Sequence, residues 1–335
     1  MKGKLYLCLI ASVALIFLVL AYVLVQLSPV ALPAYSREIV VSIPNNATAG
    51  DISGILRQKE VIRSALLFRL YARWKGLDGS IKAGEYKISN GFSTPRILLE
   101  LVSGRVAVQT FTVPEGYTTA QIADLLVSKG LAKRDRFFSA VANGDFSYSF
   151  LKDAPPGNRR LEGYLFPDTY QVTRGSDERT VIDLMLRRFE REIKELNYTE
   201  QAGRAGLSLH QAVTIASMVE REARIDDERP VIAGVILNRL EKSMLLQIDA
   251  TVQYALGAQK PKLYYKDLEI NSPYNTYKLN GLPPGPIAMP GKSSLLAAVN
   301  PAKTGYLYYV ARPDGSHAFA ETLAEHNTNK EKYQQ

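Results

Sequence analysis

The first pattern along the chain is an uncharged, predominantly apolar run from residue 5 to residue 27. As a helix, a run of this length crosses the hydrocarbon core of a bilayer. It exceeds the roughly 7–15 apolar residues of a secretory signal, and the following Ser28–Pro33 segment makes a poor cleavage site. The pattern predicts a retained transmembrane helix at 5–27. Lys2 and Lys4 precede it, which predicts that residues 1–4 stay in the cytoplasm.

A pattern of alternation, turn and helix then occurs twice. Val41–Ile52 alternates apolar and polar residues as a half-buried strand does, turns, and enters a helix capped by Thr48. Phe111–Ile122 repeats this order, with Thr118 as the cap. Each copy continues into a second short helix and returns through a predicted strand. The return strands are expected at 83–88 and 162–166.

These copies predict an α+β fold that contains two strand–helix–helix–strand units. A Pro-containing linker at 28–38 leads into the first unit, at 39–108. The second unit, at about 109–170, is expected to merge with a mixed α+β domain that spans 109–335. Apolar periodicity and turn residues in that domain predict further elements. They are a charged helix at 176–197, a helix at 226–242, a hairpin of 306–310 with 318–320, and a polar C-terminal helix.

One carboxylate of the second domain falls on the apolar face of a predicted helix. Ser208–Gln211 is a capping-box start, and the helix continues to about residue 223. At the helical period, Glu220 shares a stripe with three apolar residues, whereas Glu222 points to roughly the opposite side. A carboxyl group on that stripe loses hydration, which raises its pKa and favours a general acid. The alternative is that Glu220 ends in water at the edge of the stripe.

Polar and aromatic residues follow this helix in two groups. The first, 246–254, contains Gln247 and Asp249, and the second, 274–287, contains Asn275 and Tyr277. Amide, hydroxyl and aromatic groups of this kind suit a sugar polymer, with rings for stacking and short polar groups for hydroxyls. The second group ends in a Pro/Gly run, which cannot be a helix interior or a central strand. It is therefore expected to form a shaped loop.

Charge and cysteine content narrow the class of protein further. The chain has 335 residues, a formal charge of +8 and one cysteine, Cys8, inside the predicted membrane helix. The exported part therefore needs a packed core rather than disulfides. The positive charge suits an anionic membrane surface or an acidic polymer. The histidines are scattered, and no spacing predicts a metal site, a nucleotide loop or a nucleophile elbow.

The chain resembles the MltG (YceG-like) family of endolytic murein transglycosylases. The resemblance runs from the membrane segment to near the C-terminus, and the motifs occur in the family's order. The matching pieces are Leu161–Tyr170, Ala216–Glu220, Asn238–Leu240, Leu246–Asp249, Tyr274–Tyr277 and Gly281–Gly285. The resemblance implies a lyase that cuts β-1,4 bonds within nascent peptidoglycan strands, leaves 1,6-anhydro-MurNAc ends and limits strand length. No cofactor and no metal are implied.

The resemblance also implies roles for particular residues. Glu220 is expected to serve first as acid and then as base toward the muramic acid 6-hydroxyl. Glu162 is the alternative candidate for the acid. The residues expected to hold the sugar are Gln247, Asp249, Asn275, Tyr277, Glu162, Tyr164 and Asn238.

Two other functions remain open from the residues themselves. One is a hydrolytic muramidase that uses Glu220 with Asp249 or Glu162 as base or nucleophile. The other is a non-catalytic wall-binding scaffold built on the repeated units, which look like the LysM fold that binds N-acetylglucosamine chains. The family resemblance places the protein in the inner membrane as a single-pass protein with its catalytic domain outside the cytoplasm. The partners it implies are glycan strands and peptidoglycan synthases (penicillin-binding proteins), with no nucleic acid.

Overall fold

The computed structural model describes residues 2–44, 46–104, 108–173 and 175–333, with side chains of the first helix described from Ile10 onward. The side chains of Lys2, Lys4 and Cys8, and Asn45 of the first repeat, lie outside the described residues. The chain divides into two compact units of mixed helices and strands, which confirms the predicted α+β class. The first unit comprises Met1–Gln109 with Gln171–Ser176, and the second comprises Thr110–Tyr170 with Asp177–Gln335.

The first unit begins with a long apolar helix, α1 (Lys2–Leu27). Its segment Ile10–Leu27 has a mean hydropathy of 2.6, and its length and composition are sufficient to cross a membrane. Side chains from Ile10 to Tyr22 are exposed, whereas Val23, Gln26 and Leu27 are partly buried. The predicted apolar helix is therefore present, and only its last turns contact the rest of the unit.

A strand–helix–helix–strand unit follows and confirms the arrangement predicted for the first copy. Its elements are β1 (Glu38–Ile43), α2 (Ala49–Gln58), α3 (Ala65–Trp74), β2 (Gly84–Ser89) and α4 (Thr94–Ser103). The two strands are antiparallel, with Val41 opposite Tyr86. Thr48 caps α2 through a capping box with Asp51, as its position predicts. The core is formed by apolar side chains of all five elements, including Val41, Leu56, Phe68, Tyr86 and Leu98.

The second copy of the repeat lies mostly in the second unit, which begins within its first strand. It contains β3 (Val108–Thr112), α5 (Thr119–Ser128), α6 (Arg134–Asn143) and β4 (Thr169–Thr173), and β3 pairs with β4. Thr118 caps α5 through a capping box with Gln121, as predicted.

The return strand predicted at 162–166 is wrong, because these residues form turns and the strand begins only at Thr169. Gly163 has a φ of +85°, a left-handed conformation that a strand does not contain. A Cβ atom at this position would lie 2.5 Å from Pro286. The turn therefore places the backbone of Gly163 against the Pro/Gly loop. The alternation of apolar residues carries no information about this contact with a distant loop.

The rest of the second unit is mainly helical. Its elements are α7 (Glu178–Glu195), α8 (Tyr198–Arg204), α9 (Leu209–Glu222), α10 (Arg229–Glu241), α11 (Asp249–Leu256), α12 (Tyr265–Leu268), α13 (Lys292–Val299), β5 (Tyr308–Ala311), β6 (His317–Ala320) and α14 (Leu323–Tyr333). α7 and α10 confirm the predicted helices, and antiparallel β5 and β6 confirm the hairpin. Residues 281–287 form the predicted loop.

Candidate active site

The helix that carries both candidate acids, α9, lies at the centre of the second unit. Ser208 and Gln211 form the capping box that the sequence predicts, with side-chain to backbone distances of 3.1 and 2.9 Å. Ala212–Val219 is buried without interruption, and α13, α10, α8 and α11 pack around the helix. The helix is thus buried on all sides. A single apolar stripe therefore could not determine which of its carboxylates faces a site.

A groove of about 460 Å³ lies at the C-terminal end of α9. We call it the Glu222 groove. Its lining comes from α9, α10, the Leu246–Asp249 segment, Tyr277, β5, β6 and α14. The polar side chains that line it include Glu222, Arg239, Gln247, Asp249, Tyr277, Tyr309 and His317. The groove thus collects carboxylate, amide, phenol, guanidinium and imidazole groups from distant parts of the sequence.

Glu222 is the last residue of α9, and its carboxylate faces this groove. Burial raises its pKa above the usual range, and the negative charge of Asp249 adds to this effect. The Tyr309 hydroxyl donates a hydrogen bond to Oε2 at 3.1 Å and acts in the opposite sense. A carboxyl group that is desolvated and still reaches an open groove can hold a proton and deliver it.

The second carboxylate of the groove is Asp249, the first residue of α11. Its side chain is exposed, and the Tyr277 hydroxyl donates a hydrogen bond to Oδ1 at 2.5 Å. The backbone joins the two segments, because Gln247 N donates to the Thr276 carbonyl at 3.0 Å. Gln247 has a φ of +51°, a left-handed conformation that costs an L-residue energy and persists only where the surrounding structure holds it. Gln247, Asp249 and Tyr277 are therefore brought together, as the sequence predicts.

Glu220 lies in a different environment, away from the described lining of that groove. Its Oε2 accepts a hydrogen bond from Gly291 N at 2.9 Å and lies 3.4 Å from the Arg229 guanidinium. Glu115 is adjacent: burial raises its pKa, and the negative charge of Glu220 raises it further. A carboxylate held by a guanidinium and a backbone amide is typical of a structural ion pair. Glu220 thus lies among charged partners instead of ending in water, and its role as the acid stays a prediction.

Glu162 occupies a third place, a separate cavity of about 370 Å³. Its Oε1 accepts from Thr119 N at 2.9 Å, and its Oε2 accepts from the Tyr254 hydroxyl at 3.0 Å. Burial raises the pKa of Glu162 to about 7. Arg159 and Arg221 also line this cavity. Glu162, the alternative acid, thus has a raised pKa, but Asp249 and Tyr277 do not line its cavity.

Three of the predicted sugar-binding residues have their polar groups occupied within the fold. The Asn275 amide donates to the carbonyls of Leu268 and Ile270 at 2.8 and 2.9 Å, and its side chain is fully buried. The Asn238 amide donates to the carbonyls of Thr304 and Tyr306.

The third of these residues is Tyr164. Its hydroxyl contacts His210 Nδ1 at 2.6 Å, and the ring is buried. His210 Nε2 lies 2.8 Å from the Pro284 carbonyl, which can only accept. Nε2 therefore donates to that carbonyl, and Nδ1 and the Tyr164 hydroxyl share the second hydrogen bond of the ring. Like Asn238 and Asn275, Tyr164 positions segments of the second unit rather than facing an opening.

Four residues that line the groove were not among the site residues predicted from the sequence. Tyr309 was expected in a buried strand, but β5 places its ring beside Glu222. Arg239 donates to the carbonyls of Leu245 and Leu246 and shapes the groove wall. His317 Nδ1 lies 2.7 Å from Glu228. Glu222 itself was the fourth. The signal available in the sequence was its position at the end of the helix, where a side chain can leave the core.

Comparisons with known proteins give a consistent family assignment. The family model described as the YceG-like family matches residues 41–332. An endolytic murein transglycosylase of Bacillus subtilis (strain 168) is 37% identical over 309 residues, which cover 88% of this chain and 84% of that protein. An endolytic murein transglycosylase of Streptococcus pneumoniae serotype 2 is 32% identical over 337 residues, which cover 92% of this chain and 60% of that protein.

A solved structure is also similar. The crystal structure of a yceG-like protein from Listeria monocytogenes aligns with a TM-score of 0.60 and 38% identity. The alignment covers 88% of this chain and all of that one. Sequence and fold therefore agree over most of the chain.

Proposed function

Because this chain belongs to the YceG-like family, we propose that it is a membrane-anchored endolytic lytic transglycosylase of peptidoglycan. Its substrate is the β-1,4 bond between MurNAc and GlcNAc within nascent strands, and its product carries a 1,6-anhydro-MurNAc end. Two relatives that are at least 32% identical to this chain over the aligned residues are named endolytic murein transglycosylases. Cleavage within nascent strands limits their length. The groove contributes amide, phenol and carboxylate groups suited to a sugar chain.

We propose Glu222, rather than Glu220, as the acid. The observation that carries this choice is that Glu222 opens into the groove that also holds Gln247, Asp249 and Tyr277. Burial raises the pKa of Glu222, which favours its protonated form. Glu220 instead pairs with Arg229 and Gly291.

The reaction needs one carboxyl group to act twice. Protonated Glu222 gives its proton to the glycosidic oxygen, the bond from C1 of MurNAc to that oxygen breaks, and the GlcNAc end leaves as an alcohol. The Glu222 carboxylate then accepts the proton of the MurNAc 6-hydroxyl as O6 bonds to C1. The ring closes as a 1,6-anhydro sugar, the acid returns protonated, and no water is consumed. Intramolecular attack benefits from an effective concentration on the order of 10⁵ M or more.

Asp249, Gln247 and Tyr277 are assigned to the sugar in this proposal. The negative charge of Asp249 would stabilise positive charge at C1, and the Tyr277 hydroxyl holds the carboxylate in place. Glu162, Tyr164, Asn238 and Asn275 are assigned to positioning, since their polar atoms are bonded inside the fold.

A hydrolytic muramidase is a second candidate, and one observation favours it. Glu222 and Asp249 line the same groove, so a second carboxylate is available to activate water or to attack C1. The two reactions differ in whether the new end contains oxygen from water. A wall-binding scaffold without activity would cut no bond at all.

Matched amide variants separate these possibilities. We expect Glu222→Gln to remain folded and to lose on the order of 10²–10⁴-fold in glycan cleavage, as for loss of a general acid. Glu220→Gln and Glu162→Gln should keep most of the turnover. Digestion of purified wall in ¹⁸O-labelled water, read by mass spectrometry, should give unlabelled anhydro ends.

Three results would count against the proposal. An active Glu222→Gln with an inactive, folded Glu220→Gln would restore the acid predicted from the helix pattern. An inactive Glu162→Gln would move the acid to the other cavity. Label at the new reducing end would indicate hydrolysis, whichever carboxylate proved essential.

The remaining organisation is proposed on the same basis. We propose residues 1–4 as the cytoplasmic N-terminus, 5–27 as the membrane span and 28–38 as the linker. Residues 39–108 form a LysM-like glycan-binding module, and 109–335 form the catalytic domain. The strand–helix–helix–strand order of the first unit supports the module. The inner membrane is the proposed location, with the catalytic domain outside the cytoplasm, where peptidoglycan synthases supply nascent strands.

A further inference from the structure

One face of α3 in the first unit carries apolar side chains that point into solvent. Phe68 and Ala72 are fully buried in the core. Leu66, Leu70 and Trp74 are 57%, 52% and 74% exposed, and their spacing of four residues places them in one row along the helix. We call this row the α3 stripe. A contiguous exposed apolar row, unlike a single exposed leucine, indicates a surface that is covered in the working protein.

The charges around the stripe are basic. Arg69 and Arg73 are exposed beside it, and Lys75 follows it with Nζ 4.4 Å from the centre of the Trp74 ring. A short helix with leucine and tryptophan on one side and arginine or lysine at its flank is typical of helices that lie in a membrane interface. Tryptophan prefers the headgroup level, and basic side chains are attracted to acidic lipids.

The connection to α1 places this helix at the end of the membrane span. α1 ends at Leu27, and the Arg63 guanidinium donates to the Pro29 carbonyl at 2.7 and 3.0 Å and to the Val30 carbonyl at 3.2 Å. Arg63 lies two residues before α3 begins at Ala65, and α3 also contacts α1 directly. The start of α3 is therefore fixed beside the point where the chain leaves the apolar helix.

We infer that the α3 stripe is inserted in the headgroup layer of the bilayer crossed by α1, with Arg69, Arg73 and Lys75 in contact with acidic phospholipid. The inference rests on the proposed membrane anchor but not on the proposed reaction. A lipid surface is favoured over a protein partner because the stripe adjoins the span and its flanking charges are complementary to acidic lipid. α3 is about 15 Å long, so it can lie along the surface without crossing it.

Trp74 makes the test direct, since it is the only tryptophan of the chain. The full-length protein is reconstituted into phosphatidylcholine vesicles with or without phosphatidylglycerol, and tryptophan emission is recorded. We expect blue-shifted emission and quenching by a spin label high on the lipid acyl chain. A label near the bilayer centre and aqueous iodide should both quench weakly. Phosphatidylglycerol should strengthen quenching by the shallow label.

Two double variants and a control test whether the α3 stripe and its basic flank cause the quenching of Trp74. Leu66→Glu combined with Leu70→Glu should abolish most of the quenching by the shallow label, because two charges enter the stripe. Arg69→Gln combined with Arg73→Gln should remove the effect of phosphatidylglycerol. Leu99→Glu is the matched control: Leu99 is 59% exposed on α4 of the same unit and lies outside the stripe. It should leave the emission and quenching unchanged.

A second measurement tests the membrane anchor separately from the location of the α3 stripe. Vesicle flotation reports whether the chain is membrane-bound at all. If the protein floats with vesicles while Trp74 is quenched freely by iodide and not by lipid labels, the inference is wrong although the anchor holds. If Trp74 is shielded from both quenchers, a second copy or another protein covers the stripe, and the lipid assignment is also overturned.

Discussion

Replacing Glu162 by Gln measures the effect of ionising a carboxyl group inside the second unit. Burial raises the pKa of Glu162 from 4.5 to about 7. Because the folded-state value is above the unfolded one, the neutral acid favours the folded state at low pH. The benefit is full below about pH 4.5 and is lost as the pH rises through 7. A tenfold change in proton affinity is about 1.4 kcal/mol, so the loss over this window is about 3 kcal/mol.

The Gln variant keeps the shape of the side chain and removes its titration. Its oxygen can accept from Thr119 N, and its amide can donate to the Tyr254 oxygen. We therefore expect the unfolding free energy of the wild type to fall relative to the variant between pH 4.5 and pH 8. The full chain is unfolded with urea in detergent, and unfolding is monitored by hydrogen exchange in the peptide 161–166, which contains Glu162.

An exposed carboxylate supplies the control for this experiment. Glu195→Gln changes the same chemical group at the solvent-exposed end of α7 and should leave the pH dependence as it is in the wild type. If Glu162→Gln and Glu195→Gln give the same pH dependence, Glu162 titrates as a solvated side chain. The buried placement of its carboxylate would then be wrong.

Two further predictions concern the groove and its support. Asp249→Asn removes a negative charge that raises the pKa of Glu222. We therefore expect the alkaline limb of the pH profile of glycan cleavage to move to lower pH. An unmoved limb would show that the charge of Asp249 does not affect the pKa of the catalytic acid. Asn275→Ala leaves the buried carbonyls of Leu268 and Ile270 without a donor and should cost about 1–3 kcal/mol of unfolding free energy by urea titration. An unchanged unfolding midpoint would contradict its positioning role.

Local signals predicted much of the fold because they act within a few residues. The capping boxes at Thr48, Thr118 and Ser208 are all present, since each depends on a side chain and a backbone group three positions apart. The strand–helix–helix–strand order followed from alternation and caps in the same way. The return strand at 162–166 was wrong because the left-handed Gly163 and its contact with Pro286 depend on a distant loop.

The candidate site was predictable in its pieces but not in its assembly. Gln247, Asp249 and Tyr277 were identified from residue type, and they do line one groove. Which of the two glutamates of α9 meets that groove depends on how distant segments pack against the helix. Periodicity carries no such information for a helix that is buried on all sides. Residue type alone did not reveal the backbone partners of Asn275, because a buried amide can serve carbonyls as well as a ligand.

The bonds that Arg63 and Asn90 make to residues 29–31 limit how far the first unit can travel. A free linker over 28–38 would have a root-mean-square span of roughly 17–20 Å, because a flexible chain covers about 5–6 Å times the square root of its length. Here the Pro29 carbonyl, which accepts hydrogen bonds from Arg63, comes only two residues after the end of α1 at Leu27. The unit therefore turns with its anchor instead of diffusing around it. If the first unit binds glycan and α1 crosses the membrane, as proposed above, the unit reaches only the layer of wall nearest the bilayer, and distance from the membrane selects the newest strands.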